Sequence, residues 1–309
     1  MVGRRGLSLV VLLVASLTLA GCGPVGPKAA GGKLSVMATT NIVADVVAKV
    51  GGDLVEVRPL LPLGADPHTF EPTAQALAAV SRVDLVFANG VGLEVFLNPL
   101  LANAGATGKQ RSVSDGIVLR TLGPGEGHEG EQAGEADPHV WFDPANILVW
   151  VDNIEKALVA ADPPNAATYR DNAERYRGQL RELDAWIEQQ VAQVPEARRE
   201  IVTDHDELGY FAQRYGFRVV GAVVPSLSTV AEPSAQEIAA LEAAISDLSA
   251  PAIFVDQTVN PSLARRISQD VGVKLVFLYG GSLSQADGPA PDYVAFMQYD
   301  TSAIVDALK

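Results

Sequence analysis

The sequence contains little cysteine and comparatively little positive charge. Cys22 is the single cysteine in 309 residues, so an internal disulfide is excluded and the fold must be held by its core. Lysine and arginine together number 23 against 37 aspartate and glutamate residues, which gives a formal net charge of −14. Because an acidic protein repels phosphate groups, this composition argues against nucleic-acid binding and against peripheral binding to anionic lipid.

Long apolar runs are also missing, apart from one near the N-terminus. Residues 7–20 are apolar, follow Arg4 and Arg5, and end within the sequence LAGC that closes on Cys22. A membrane span needs about 20 apolar residues, so this run is too short for one. Its order of positive, apolar and small residues is typical of a bacterial export signal, and the cysteine resembles that of a lipobox. We predict a signal peptide at 1–21 and lipidation of Cys22; the arginine pair leaves twin-arginine export open.

The segment after the predicted anchor is suited to be a tether. Residues 22–33 are rich in glycine, proline and alanine, and no later apolar run is long enough to cross a membrane. Acyl chains hold a protein at the membrane surface. We therefore expect an exported protein that is lipid-anchored at the cell membrane, at its outer face or in the periplasm. The remainder of the chain is long enough for two domains.

Short β-branched runs alternate with longer helical patterns in the rest of the chain. This alternation predicts an α/β fold with two lobes, each a mainly parallel sheet flanked by helices. We place the N-terminal α/β lobe at residues 34–162 and the C-terminal lobe at residues 195–309. The predicted strands are 34–39, 55–61, 84–88, 200–203, 218–224, 252–255 and 274–278. The predicted helices are 42–50, 73–81, 146–160, 207–215, 234–248, 261–271 and 292–308.

Residues 163–194 separate the two predicted lobes and carry many good helix formers. Gly178 is the one weak helix former in the middle of this segment. At a rise of 1.5 Å per residue, the segment would form a rod of about 45 Å. We therefore predict one long, rigid linking helix between the lobes.

One segment, residues 123–137, has no periodicity. It contains four glutamates, five glycines and His128, and too few apolar residues to bury. It is either a solvated acidic loop or a flap that gathers metal beside a binding site.

Three of the chain's four histidines follow predicted strand ends or stand in polar loops with aspartate and proline. These are His68, His139 and His205. Ligands of α/β sheets collect outside the carboxyl ends of the strands, so these histidines are placed to bind one divalent metal ion. Neighbouring prolines restrict the backbone before the ion arrives. Nearby carboxylates could orient the rings by accepting the second N–H: Asp66, Glu71, Asp137, Asp143, Asp204 and Asp206. Asp143, before Pro144, also has the character of a helix N-cap.

These motifs resemble those of the zinc- and manganese-binding solute receptors of ABC transporters, the group called cluster A-I. The matching segments are 64–72 (GADPHTFEP), 137–144 (DPHVWFDP) and His205 followed by 209–216 (GYFAQRYG), supported by 254–261 (FVDQTVNP) and 278–284 (LYGGSLS). The resemblance spans nearly the whole mature chain. It implies two α/β lobes joined by one long helix, a metal ion held between them, and delivery of that ion to a permease. The histidine ligands of the family fall on His68, His139 and His205.

The sequence departs from this family pattern at one point. Many members have a fourth ligand, an aspartate, where this chain has Gly281. The fourth ligand is then water, a carboxylate such as Asp287 or Glu71, or a residue of the acidic loop. Zinc accepts imidazole in fourfold geometry, whereas manganese prefers more oxygen, so the set favours Zn2+ with Mn2+ as the alternative.

Two other functions are compatible with three histidines. Three histidines and a water molecule also form a catalytic zinc site, with Glu71 as a possible base, although no HExxH motif is present. A metal-stabilised surface adhesin is the other alternative. The residues favour a binding protein that is not an enzyme, acting as a monomer with a membrane permease as partner.

Overall fold

The computed structural model describes residues 32–122, 134–248 and 250–309. Cys22, the predicted signal peptide, almost all of the tether, and His128 with most of the acidic loop lie outside the described residues. One compact unit extends from Lys33 to Lys309.

A four-stranded parallel sheet forms the N-terminal half, with the strand order β2-β1-β3-β4. Its central strand β3 is buried at all four residues, as expected for a parallel strand that is covered on both faces. The strands are β1 (Leu34–Ala38), β2 (Val55–Pro59), β3 (Leu85–Ala88) and β4 (Gln110–Ser112). The accompanying helices are α1 (Asn41–Gly51), α2 (Ala74–Val80) and α3 (Leu97–Asn103).

A second parallel sheet repeats this arrangement in the C-terminal half, with the order β6-β5-β7-β8. In each sheet the first strand pairs with the second on one side and with the third on the other, which opens a crevice at the carboxyl ends of the central strands. The strands are β5 (Glu200–Thr203), β6 (Arg218–Ala222), β7 (Ala252–Asp256) and β8 (Lys274–Leu278). The helices are α6 (Gly209–Tyr215), α7 (Ala235–Leu248) and α8 (Ser262–Val271).

Two antiparallel helices, α4 (Pro144–Ala161) and α5 (Ala166–Val191), lie between the sheets in sequence. The 26 residues of α5 span about 39 Å. One face of α5 is buried at helical spacing, through Tyr169, Ala173, Tyr176, Leu180, Leu183, Ile187 and Val191. The α-helix is shorter than the predicted 163–194 because the two prolines at its start form a separate 3-10 turn, Pro163–Asn165.

The last helix, α9 (Tyr293–Leu308), packs against α5, α1 and β8. Asp292 caps α9 by accepting a hydrogen bond from Ala295 N (2.9 Å) and also pairs with Lys49 of α1 (3.0 Å). Asp45, also on α1, accepts a hydrogen bond from Tyr293 N (3.0 Å). The start of α9 is thereby tied to the N-terminal half, and the largest apolar cluster contains residues of both halves.

The predicted α/β class with two parallel sheets is confirmed by these elements. Helix α3 and strand β4 were not predicted, because β4 is three polar residues and α3 contains Pro99 and has no side-chain N-cap. Asp143 does cap α4, since its carboxylate accepts a hydrogen bond from Ala145 N (2.8 Å). Within the described part of the chain, no helix is both long and apolar enough to cross a membrane.

Candidate metal centre

His205 stands at the carboxyl end of β5, beside β7. The Asp204 carboxylate accepts hydrogen bonds from the His205 backbone N–H (2.8 Å) and from ring Nδ1 (3.0 Å). Asp204 also accepts a hydrogen bond from Asp256 N at the end of β7 (2.9 Å). Because Nδ1 is used in this way, Nε2 is the ring nitrogen left for an ion.

His139 is held in the same manner. The Asp137 carboxylate accepts hydrogen bonds from His139 N (2.9 Å) and Nδ1 (2.9 Å), and it also pairs with Arg120 (3.2 Å). The ring packs against Trp141 with the centroids 5.3 Å apart, and Trp141 Nε1 donates to Gly280 O (3.0 Å). The His139 ring is therefore supported both by a carboxylate and by an aromatic side chain that reaches the C-terminal half.

His68 lies in the loop after β2 and is half-buried, whereas His139 and His205 are 1% and 2% exposed. The Asp66 carboxylate accepts hydrogen bonds from His68 N (2.8 Å) and from Thr229 Oγ1 (2.6 Å). Asp66 therefore holds the backbone of His68 rather than its ring, and it joins this loop to one from the C-terminal half.

The three imidazole rings converge on one point. Their centroids are separated by 5.2 Å (His68 to His139), 5.6 Å (His68 to His205) and 5.1 Å (His139 to His205). One nitrogen from each ring lies within 4.8 Å of the others, and the Nε2 atoms of His68 and His139 are 3.1 Å apart. Nitrogens bound to one tetrahedral zinc ion would be about 3.4 Å apart. The His68 and His139 nitrogens are therefore already close to the spacing of zinc ligands.

Burial and charge have different net effects on the pKa values of the three rings. Burial lowers the pKa of His68 well below its usual value, and the other two histidines lower it further. Burial also lowers the pKa of His139, although Asp137 opposes this. For His205, burial is again the largest effect and acts downward, but Asp204 and more distant carboxylates outweigh it and raise the pKa. Neutral imidazole is the form that binds metals, so His68 and His139 are prepared for this role.

The C-terminal half also contains three buried carboxyl groups, those of Asp256, Glu207 and Asp300. Asp256 accepts hydrogen bonds from Thr258 N (2.8 Å), Gly280 N (3.2 Å) and Gly281 N (2.8 Å), and burial raises its pKa to about 6. Burial also raises the pKa values of Glu207 and Asp300 well above the usual range. Sequence reasoning missed these three residues, although Asp256 closes an apolar strand and Glu207 follows His205 by two positions.

The carboxylates considered as fourth ligands are not at the site. Glu71 and Asp287 are exposed, and neither belongs to a group of three potential ligand residues within the described residues. Gly281 is buried, and a Cβ atom there would lie 3.0 Å from Pro67 Cδ. The prediction that Glu71 or Asp287 completes the site therefore has no support in this arrangement.

A cavity of about 480 Å³ adjoins His68. Its walls come from both halves of the chain and are largely apolar, with Leu93 and Pro138 on one side and Leu227 and Val230 on the other. Of the three histidines, His68 is thus the one that lines this cavity between the two halves.

Known proteins resemble this chain along nearly its whole length. The family described as zinc-uptake complex component A, periplasmic, matches residues 36–307. The manganese-binding lipoprotein MntA of Halalkalibacterium halodurans is 32% identical over 301 residues, covering 96% of this chain and 97% of that protein. The iron ABC transporter substrate-binding lipoprotein MtsA of Streptococcus pyogenes serotype M1 is 29% identical, covering 99% of both chains.

The fold is also found in solved structures. The periplasmic zinc binding protein TroA from Treponema pallidum has a TM-score of 0.81 and 28% sequence identity, covering 90% of this chain and 99% of that chain. The resemblance inferred from the histidine motifs is confirmed. The chain belongs to the zinc-uptake component A family, the metal-binding substrate-binding lipoproteins of ABC transporters.

Proposed function

We propose that this protein is an exported receptor that captures Zn2+ with His68, His139 and His205 and delivers it to an ABC permease for import. It is a binding protein and not an enzyme, and it acts as a monomer. The convergence of the three histidine rings, two of them fixed by buried aspartates, is the observation that carries the proposal.

The ion lies between two lobes in this proposal. His68 and His139 come from the N-terminal lobe, residues 34–162, and His205 comes from the C-terminal lobe, residues 195–309, with the linking helix at 163–194. A signal peptide at 1–21 directs export, and Cys22 carries the lipid anchor. The tether at 22–33 then leaves the lobes free to meet the permease at the membrane surface.

The histidine donor set supports zinc over manganese. The named relatives differ in their metal: MntA is named for manganese, MtsA for iron and TroA for zinc. Three imidazoles suit zinc, because zinc accepts nitrogen donors in tetrahedral geometry, whereas manganese prefers carboxylate and water oxygens.

Metal analysis and uptake test the proposal together. We expect about one zinc per wild-type protein and almost none in the His205→Ala variant, because a tetrahedral site with two remaining histidines binds weakly. Cells that lack the protein should take up zinc poorly, and wild type but not His205→Ala should restore uptake. Stoichiometric zinc in His205→Ala would contradict the site. Predominant manganese in cells with ample zinc would contradict the choice of ion.

A further inference from the structure

Zinc needs a donor beyond the three histidines, and the aspartates beside them are already in use. Asp137 accepts a hydrogen bond from the His139 ring and pairs with Arg120. Asp204 accepts hydrogen bonds from the His205 ring and from Asp256 N at the end of β7. Asp66 holds the His68 loop and Thr229. Any of these aspartates would have to give up several hydrogen bonds to bind the ion.

Glu207 differs from these aspartates, because one of its carboxyl oxygens accepts no hydrogen bond from the described residues. The residue is 1% exposed, and its Oε1 atom has no hydrogen-bond partner within the described residues. Burying an unpartnered carboxylate is costly, so its retention suggests a ligand. Among the described side chains, the other buried carboxyl oxygen in this state is Asp300 Oδ2, on α9. Asp300 itself is held by Tyr279 N, which donates to its Oδ1 (2.9 Å).

Glu207 lies next to His205, one of the three converging histidines. Its backbone N–H donates to His205 O (2.8 Å), which folds the chain back towards that histidine. A Glu207 oxygen lies within 4.8 Å of a His205 ring nitrogen and of the Asp204 carboxylate. Glu207 is therefore closely adjacent to one of the three converging rings.

Gly280 provides the space for this side chain. A Cβ atom at position 280 would overlap Glu207 Oε2 and would lie 2.6 Å from Asp256 Oδ2. The carbonyl of the same glycine accepts the hydrogen bond from Trp141, which packs on His139. Glu207 thus lies in a pocket between His205 and the loop that contains Gly280.

We propose that Glu207 turns within this pocket to become the fourth ligand of the bound ion, a step that rests on the proposed function above. Three neutral imidazoles leave the two positive charges of zinc uncompensated, and one carboxylate reduces them.

The Glu207→Gln variant of the full-length protein tests the assignment, with Asp300→Asn as the matched control. Each substitution removes one buried carboxyl group of the same region and keeps the shape of the side chain. Co2+ is the spectroscopic probe, since its visible absorption reports the ligand set directly, and zinc affinity is measured by competition with a chelator. We expect Glu207→Gln to change the Co2+ spectrum and to weaken zinc binding at least about 10-fold. Asp300→Asn should leave the spectrum as in wild type.

Two outcomes would overturn the assignment while leaving the three-histidine site intact. The first is a wild-type Co2+ spectrum in Glu207→Gln, which would identify water or another residue as the fourth ligand. The second is an equal change in Asp300→Asn, which would indicate a general effect of buried charge. If Glu207→Gln does not fold, Glu207→Asp, one methylene shorter, should give the altered spectrum, and a wild-type spectrum there contradicts the proposal. Failure of wild-type protein to bind zinc or Co2+ would contradict the proposed function itself.

Discussion

The Nε2 atoms of His68 and His139 lie 3.1 Å apart, although the two residues are 71 positions apart in the chain. Two neutral imidazoles at this distance either share one proton or direct their lone pairs at a common ion. Asp137 holds Nδ1 of His139, and the buried His205 closes the third side of the group. A shared proton would join only two rings, whereas a metal ion can bind all three. The convergence of three rings therefore favours an ion.

Each histidine should be indispensable for tight binding. We expect His139→Ala to weaken zinc affinity by more than about 100-fold, since this loss should exceed the 10- to 100-fold effect that is common for the partners of ligands. Titration calorimetry with zinc measures the change. Substitution of Glu71 by alanine is the control, because Glu71 is exposed and has no place in the histidine group. Equal affinities of the two variants would contradict the assignment of His139.

The aspartate behind His139 should matter almost as much as a ligand. Asp137→Asn removes the charge that fixes the ring tautomer, so we expect zinc affinity to fall about 10- to 100-fold. The exposed Asp53→Asn substitution is the matched control and should leave affinity unchanged. Chelator competition measures both. Unchanged affinity in Asp137→Asn would show that the 2.9 Å contact does not orient the ring.

Acid should weaken zinc binding through His205 first. The pKa of His205 is raised above 6.5, whereas those of His68 and His139 are lowered, so His205 is the first of the three to gain a proton as pH falls. Its protonation stabilises the metal-free protein below pH 6.5, and this stabilisation is lost as pH rises through the folded-state pKa. As pH falls, zinc affinity should therefore begin to decline while the pH is still above 6.5.

Zinc titrations from about pH 8 to about pH 5 follow this decline, and the NMR signal of the His205 ring identifies the titrating group. In Asp204→Asn the decline should begin at lower pH, because the charge that raises the His205 pKa is gone. A decline that begins at the same pH in both proteins would assign it to another group.

The contact between α1 and α9 should make stability depend on pH. Burial raises the pKa of Asp45 from 3.8 to about 6, against the attraction of Lys49. A raised carboxyl pKa stabilises the folded state below the unfolded value, and this stabilisation is lost as pH rises through about 6. Relative to Asp45→Asn, the unfolding free energy of wild type should fall across this range by no more than about 3 kcal/mol. Urea titrations measure it, with the exposed Asp171→Asn as control; parallel curves for Asp45→Asn and wild type would contradict the prediction.

The middle of the long helix offers a site for stabilisation. A Cβ atom at Gly178 would have no neighbour within 4 Å, so Gly178→Ala should raise the unfolding free energy by about 0.5–1 kcal/mol. Gly272 also has open space around it, but its φ is +76°, so Gly272→Ala should destabilise the protein instead. Thermal unfolding distinguishes the two variants, and zinc affinity should stay unchanged in both. Equal shifts of the unfolding temperature in the two variants would show that backbone conformation at the glycine does not determine the effect of the substitution.

Local sequence patterns were sufficient for most of the fold and for singling out the three histidines that the structure brings together. The strand 252–255 is a continuous apolar run and the segment of α5 is rich in helix formers, and the observed elements lie within a few residues of both. The polar strand Gln110–Ser112 has no such pattern, because it forms through pairing with β3 rather than by its own propensity. Strand and helix boundaries differ where prolines or turns end an element early, as at Pro59 and Pro163.

By itself, the sequence determined the export signal pattern, the alternation of strands and helices, and the placing of three histidines in polar loops with aspartate and proline, since each depends on residues close along the chain. Only the tertiary structure decided that the rings of His68, His139 and His205 converge, and that Glu71 and Asp287 lie at the surface. It also decided the contact of Trp141 with Gly280, 139 positions away, and with it the pocket of Glu207. Such contacts form when distant segments pack together, and no local propensity or spacing encodes which of them will meet.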